Sequence, residues 1–129
     1  FGPNDQRNKA LDVFIKNAIS NQDINIPSTK IDINLTHVEE VVNTLIKCPE
    51  LSAGQYMIMS NNQTTIEELA KSVIALNKTS AKIKTNLDAK NFFENINSFP
   101  SNIYQKTLEL DFQEQLKERN NEIREANSF

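Results

Sequence analysis

The strongest chemical feature of this 129-residue chain is a group of five lysines between positions 71 and 90, where Asp88 is the single acidic residue. Aromatic residues follow the group directly, beginning with Phe92 and Phe93. Clustered lysines beside aromatic rings are typical of sites for anionic membranes or phosphoinositides, where the lysines meet the charge and the rings insert. The candidate binding residues are Lys78, Lys82, Lys84, Lys90 and Phe92. Alternatively, the lysines only accompany a helix C-terminus, which favours cations, and the phenylalanines belong to the core.

Few residues of the chain could form a catalytic centre. His37 is the only histidine, so a metal site with two imidazoles is excluded, and any Ser-His-Asp or Cys-His arrangement would depend on this one base. Gly2 and Gly54 are the only glycines, which excludes a Gly-rich phosphate-binding loop. We therefore predict no catalytic residue, no metal and no cofactor. For His37 we predict a solvent-facing or packing role.

The bulk composition excludes several further classes of protein. Cys48 is the only cysteine, which rules out an intramolecular disulfide and a zinc site with several thiolates. Its position at the end of an apolar helical run predicts a buried, unreactive thiol. The net charge of −3 and the pI near 5.2 argue against general nucleic-acid binding. No apolar run reaches the roughly 18 residues that cross a bilayer, so we predict a soluble protein.

A long helix over residues 64–87 would position the lysines. Thr64 and Glu67 have the spacing of a capping box, in which each side chain hydrogen-bonds the other's backbone amide. The spacing of the apolar residues predicts a buried stripe, either in an intramolecular bundle, which we favour, or in a coiled coil. Its apolar residues recur at spacings of three and four, interrupted once: Ile66, Leu69, Val73, Leu76, Ile83 and Leu87.

Other helices follow from the same periodicity. We predict a helix over residues 4–21, capped by Asn4 or Asp5, and a second over residues 36–48 that ends before Pro49. Thr36 and Glu39 form the capping box of the second helix. Its apolar face comprises Val38, Val41, Val42, Leu45 and Ile46.

Two more helices are predicted in the C-terminal part of the chain. A short one carries Phe92, Phe93 and Ile96, and the last one starts near Pro100. From Gln113 onward the last helix is almost wholly polar, so we expect its end to project from the protein unless a partner covers it. The apolar positions of the last helix are Tyr104, Leu108, Phe112, Leu116 and Ile123.

Residues 23–35 change period. Isoleucines alternate with polar residues on both sides of a break at residues 27–30, which predicts a small β-hairpin or an extended segment whose isoleucines enter the core. Residues 52–60 fit either a short helix or a buried strand.

Together these patterns predict a mainly α fold, with residues 1–129 forming one domain, either by itself or as a fragment of a larger protein. The architecture is a bundle of about five helices with a small hairpin near residues 23–35. The favoured function is a non-catalytic interaction module that presents a helical surface to another protein. The alternative is an anionic-lipid or phosphoinositide-binding module that uses the lysines of residues 71–90, and a hydrolytic enzyme comes third. The expected partner is another protein or, in the alternative, an anionic membrane surface, and not a nucleic acid.

Overall fold

Helices and short strands alternate along the chain. The computed structural model describes residues 1–7, 9–27, 31–54, 56, 58, 63–85 and 111–128. The elements in chain order are α1 (Ala10–Ile19), β1 (Ile24–Ile26), β2 (Asp32–Asn34), α2 (Val38–Lys47), a 3₁₀ turn (Cys48–Glu50), β3 (Gln63–Thr65), α3 (Ile66–Asn77), β4 (Ile83–Thr85) and α4 (Phe112–Ala126). None of the helices in these described residues is long and apolar enough to cross a membrane.

The strands form two separate two-stranded sheets. β1 pairs with β4 in parallel, with Ile24 opposite Ile83, and β2 pairs with β3 antiparallel, with Asp32 opposite Thr65. The predicted hairpin near residues 23–35 is therefore wrong. Both of its arms are strands, but each pairs with a strand from a distant part of the chain instead of with the other arm.

The predicted mainly α bundle is also wrong. Parallel strands cannot be joined by a tight turn, and here the connection from β1 to β4 includes two helices. Helices α1 and α3 pack against each other and against β1. Helices packed on parallel strands make an α/β arrangement. Each strand is only three residues long, so the strands contribute little to the sequence pattern beside the longer helices.

The core lies between α1, α3, β1 and α4. Ile15 of α1, Val73 of α3 and Ile24 of β1 have no exposed surface. They belong to one apolar cluster, whose buried members are Leu11, Phe14, Ile15, Ala18, Ile24, Ile26, Leu69, Ala70, Val73, Leu116 and Ile123. The apolar faces of α1, α3 and α4 thus pack together on β1, one of the two parallel strands.

Helix α3 is shorter than the predicted helix over residues 64–87. Its capping box lies one residue later than predicted: the amide of Glu68 donates to Thr65 Oγ1 at 3.1 Å, and the amide of Thr65 donates to Glu68 Oε2 at 3.0 Å. The helix ends because Lys78 adopts a left-handed backbone conformation with φ 51°. Ile83, predicted to be helical, lies in β4.

Helices α1 and α2 also start later than predicted. Neither Asn4 nor Asp5 caps α1, since Asn4 has φ 60° and Asp5 accepts hydrogen bonds from Arg7. In α2 the cap is His37, whose Nδ1 accepts from the amide of Glu39 at 3.3 Å. The predicted Thr36 cap is therefore wrong.

The apolar face of α2 is exposed. Val38 is 44% exposed, Leu45 57% and Ile46 70%. The buried residues of this helix are Glu40 and Thr44, next to the buried cap His37. Cys48, predicted to be buried, is exposed. The sequence pattern identified the apolar stripe of α2 correctly, but the described part of the chain does not cover it.

Helix α4 does not project into solvent as predicted. Leu116 and Ile123 are buried, and polar Arg119 and Asn120 are buried beside them. The helix packs along α1, and its buried polar residues Arg119 and Asn120 make hydrogen bonds to other parts of the chain. The predicted helix at Phe92 and the predicted start near Pro100 lie outside the described residues. Of residues 52–60, predicted as a short helix or a strand, the described ones (52–54, 56 and 58) are in neither. That residues 1–129 form one domain stays a prediction.

Candidate functional site

The carboxyl ends of β1 and β4 lie side by side, because these strands are parallel and in register. Ile26 and Thr85 are their last residues and stand opposite each other. In open α/β sheets, ligands bind in the crevice beyond the carboxyl ends of parallel strands. Pro27 and Thr85 are exposed at this position. We take Ile26, Pro27 and Thr85 as the candidate site and call them the carboxyl edge. Residues 28–30 and 86–110, which follow in the sequence, lie outside the described residues.

Contacts at the opposite, amino ends of the two strands set the register. Lys84 Nζ lies 2.7 Å from Asp23 Oδ2, and the amide of Lys82 donates to Asp23 Oδ1 at 3.1 Å. The hydrogen bond from Lys84, together with that from the amide of Lys82, holds the pKa of Asp23 below its usual range. The amide of Ile24 donates to the carbonyl of Lys82 at 2.8 Å. These contacts place Ile26 next to Thr85 at the other end.

Burial of alternate side chains holds β1 in place. Ile24 and Ile26 face the core, whereas Asn25 between them is exposed.

The described residues of the carboxyl edge offer backbone groups and the Thr85 hydroxyl, and none of them has a titratable side chain. Such groups bind and orient a polar ligand by hydrogen bonds, but they do not transfer protons at neutral pH.

The lysines predicted as binding residues do not share a helix face. Lys78 ends α3, Lys82 lies between α3 and β4, and Lys84 lies within β4, where it pairs with Asp23. The predicted helical patch is therefore wrong, because the helix ends before Lys78. Lys90 and Phe92 lie outside the described residues. A binding role for these lysines and for Phe92 stays a prediction.

A shallow cleft of about 380 Å³ lies at the amino edge of the β1–β4 pair, where α1, α3 and α4 end. Asn21 lines this cleft. The Asn21 Oδ1 atom accepts hydrogen bonds from Thr79 Oγ1 at 3.1 Å and from the Ser80 hydroxyl at 3.0 Å. Lys78 and Arg124 also line the cleft. Helix C-termini attract cations, which these two side chains already supply. The cleft lies at the end of the strands opposite to the one where α/β folds bind ligands, so it is not our candidate site.

A buried ion cluster joins α4 to α1 and to the N-terminal segment. Arg119 Nε donates to Asp12 Oδ1 at 3.0 Å and Arg119 Nη2 to Asp12 Oδ2 at 2.9 Å, a bidentate pair. Arg119 also donates to the Asp5 carbonyl at 2.6 Å and to Glu122 Oε2 at 2.7 Å. The side chains of Arg119 and Asp12 are only 6% and 7% exposed. The sequence pattern gave no functional role to Arg119, Asp12 or Glu122.

The surroundings of Arg119 and Glu122 favour the charged forms of these two side chains. The hydrogen bonds that Arg119 donates to Asp12 raise the pKa of Arg119 above its usual value, against the opposing effect of burial. Burial raises the pKa of Glu122, but the amide of Asn4 and the guanidinium of Arg119 donate to this carboxylate and hold its pKa below the usual range overall. Four of the five Arg119 N–H groups have partners within the protein, so we interpret the cluster as structural.

His37 has a packing role. It is 5% exposed, and its ring meets that of Phe1 edge-on with centroids 5.1 Å apart. Its Nδ1 is occupied as the cap of α2. Across the described residues, no group of three or more His, Cys, Asp or Glu side chains is placed to hold a metal ion.

Comparisons with known proteins identify the fold. No protein-family model matches the sequence, and no curated protein sequence matches it. Among solved structures, the epimerase Mth375 of the methanogen Methanothermobacter thermautotrophicus is similar over 97% of this chain, with a TM-score of 0.75 and 15% identity. UDP-N-acetylglucosamine 4-epimerase from Bacillus cereus is similar over 96%, with a TM-score of 0.67 and 14% identity. GDP-mannoheptose C4 reductase from Campylobacter jejuni, with NADP bound, is similar over 93%, with a TM-score of 0.65 and 10% identity.

This likeness shows a Rossmann-like α/β fold with a parallel sheet. The chain spans less than half the length of each of these structures, between 40% and 46%. The shared fold is one that epimerases and a reductase use. It contradicts the predicted non-catalytic helical interaction module and the prediction that the protein is not an enzyme.

Proposed function

We propose that this chain is the substrate-side part of an epimerase or reductase that acts on a nucleotide-linked sugar. The observation that carries the proposal is the structural likeness to Mth375 over 97% of the chain at a TM-score of 0.75. The other two structures are named for chemistry at C4 of a sugar attached to a nucleoside diphosphate. A sugar linked to a nucleotide is therefore the substrate class that fits the fold best.

The chain does not fit a dinucleotide-binding role. Dinucleotides bind to α/β folds where a Gly-rich turn lets the backbone approach the pyrophosphate at a helix N-terminus. The only glycines are Gly2 and Gly54, far apart in the sequence. A nicotinamide cofactor of such an enzyme would therefore be held by chain outside this sequence, and we assign no step through it to these residues.

The carboxyl edge is the part of this chain that would meet the substrate. Its Thr85 hydroxyl and backbone groups suit the hydroxyls and phosphate oxygens of a sugar nucleotide. Because none of its described residues has a titratable side chain, its contribution is to bind and orient the sugar. Acid–base groups would come from the remainder of the enzyme.

The proposal is tested by titrating the protein with UDP-N-acetylglucosamine and with GDP-mannose while amide NMR shifts are recorded. We expect shifts concentrated at Ile26 and Thr85, and little change at Ser80 in the opposite cleft. NADP should give no such pattern. Thr85→Val should weaken binding about two- to tenfold, the worth of one hydrogen bond, whereas the matched Thr64→Val should not. Shifts confined to the cleft, or none up to about 10 mM ligand, would reject the proposal.

A further inference from the structure

Helix α2 has the reverse of the usual amphipathic arrangement. A surface helix normally turns its apolar stripe to the core and its polar face to water. In α2 the buried side chains are Glu40 and Thr44, with the Thr44 hydroxyl donating to the Glu40 carbonyl at 2.8 Å. Four of its five apolar residues are exposed to between 44% and 70%, and the fifth, Val41, is half-buried. We call the four of them the α2 face: Val38, Val42, Leu45 and Ile46.

These four residues form one continuous stripe. Their spacing of three and four places them on the same side of the helix, about two turns long. Large aliphatic side chains are usually scattered on a surface, and a contiguous apolar patch marks an interaction site. Within the described part of the chain, α2 contacts the 3₁₀ turn that directly continues it, and its first residue is hydrogen-bonded to the N-terminal segment. The described residues therefore leave the α2 face uncovered and open to a partner.

The start of α2 is held firmly, so the face is presented in a fixed orientation. The amide of Val38 donates to the carbonyl of Phe1 at 2.8 Å. Gly2 lies so close that a Cβ atom on it would be 2.5 Å from Val38 Cγ1. A larger residue at position 2 would force the Val38 side chain to shift. A helix fixed in this way loses little conformational entropy when a partner docks.

The comparisons indicate which partner fits. The chain covers 40% to 46% of the three enzymes, so more than half of each has no counterpart here. The reductase binds NADP, yet this chain has no Gly-rich loop with which to do so. We propose that the α2 face docks onto the dinucleotide-binding part of the enzyme, in the same polypeptide or on another one. This inference rests on the proposed function and adds an interface to it.

The test places a photo-reactive phenylalanine analogue at Ile46, the most exposed residue of the face, in the protein expressed in its native cell. A matched control carries the analogue at the exposed Glu118 of α4. We expect a cross-link from position 46, and not from position 118, to a peptide of a dinucleotide-binding domain identified by its Gly-rich loop. The mass of the product distinguishes a domain of the same polypeptide from one on a separate chain.

Three outcomes would overturn the docking proposal. A cross-link to a second copy of this sequence would make the face a self-association surface. A cross-link to residues 86–110 of the same chain would mean that the chain covers its own face. The absence of any cross-link would mean that the face is solvated.

Charged substitutions give a second readout. Leu45→Glu or Ile46→Glu should each reduce association with the dinucleotide-binding domain about tenfold or more, because each loses the burial of an aliphatic side chain and adds a desolvation penalty. Asn43→Glu adds the same charge to the same helix outside the stripe and should leave association unchanged. Equal effects of all three would contradict the proposal. Thermal unfolding of each variant establishes that it remains folded.

Failure of this inference is distinguishable from failure of the proposed function. If UDP-N-acetylglucosamine or GDP-mannose shifts the amides of the carboxyl edge but no docking is found, the interface alone is rejected. If the dinucleotide-binding domain docks but neither nucleotide sugar binds, the interface stands and the substrate class is rejected.

Discussion

Replacing Arg119 with methionine should lower the free energy of unfolding by about 3–5 kcal/mol. Methionine keeps most of the apolar stem, so the main loss is the guanidinium and its four hydrogen bonds. Two of those bonds neutralise Asp12, whose side chain is 7% exposed. The carboxylate would be left in the interior without a partner, which is the costly part of breaking a buried ion pair. Urea unfolding of the two proteins measures the difference.

The control for this prediction lies on the same helix. Arg124→Met removes an exposed guanidinium and should change the free energy of unfolding by no more than about 0.5 kcal/mol. Adding Asp12→Leu to Arg119→Met removes both charges and should recover a large part of the stability. If Arg119→Met lowers the free energy of unfolding by less than about 1 kcal/mol, the ion cluster is solvated and does not hold α4 against α1.

Ile15→Ala should lower the free energy of unfolding by about 2–5 kcal/mol. Ile15 has no exposed surface and belongs to the cluster where α1 meets α3 and β1. Truncating it removes three methyl or methylene groups from the interior and leaves a cavity that the helices can close only in part. Urea unfolding, with an unchanged dependence on urea concentration, measures the cost.

The matched control is the same substitution at Ile46. That side chain is 70% exposed in α2, so Ile46→Ala should change the stability of the chain by about 0.5 kcal/mol or less. If the Ile46 variant is as destabilised as the Ile15 variant, the α2 face is covered within this chain. If both are neutral, α1 does not form the core described.

The helices of this chain were predictable from the sequence, whereas the pairing of its strands was not. The apolar spacing identified α1, α2 and α3, with errors of several residues at their ends. The capping box of α3 was assigned one residue early because Thr64 and Thr65 each precede a glutamate at the required spacing. Only the geometry of Glu68, which hydrogen-bonds the Thr65 amide, distinguishes the two possibilities.

The parallel sheet could not be predicted for a physical reason. β1 and β4 have three residues each, and their pairing brings together Ile24 and Ile83, which are far apart in the sequence. Alternation in residues 23–35 indicated strands, but a single sequence contains no information on which strand a strand pairs with. We paired each predicted strand with its neighbour in the sequence, which gives a hairpin. That pairing leaves no parallel sheet, so the predicted fold class was wrong.

The candidate site was missed because it depends on that pairing. The carboxyl edge exists only when Ile26 and Thr85 are neighbours, and neither residue has a side chain that marks it as functional. The buried cluster had a weak signal: Asp12 stands three residues before Ile15, beside the apolar stripe of α1. Its partner Arg119 lies in a polar run that looked solvent-exposed.

The parallel pairing of β1 and β4 is the central claim, because the carboxyl edge and the enzyme fold both depend on it. Backbone NOE contacts in isotope-labelled protein test it most directly. We predict contacts in parallel order, with residue 24 near residue 83 and residue 26 near residue 85. Contacts between residues 24–26 and 31–33 in hairpin order, with none to residues 83–85, would contradict the fold and with it the proposed function.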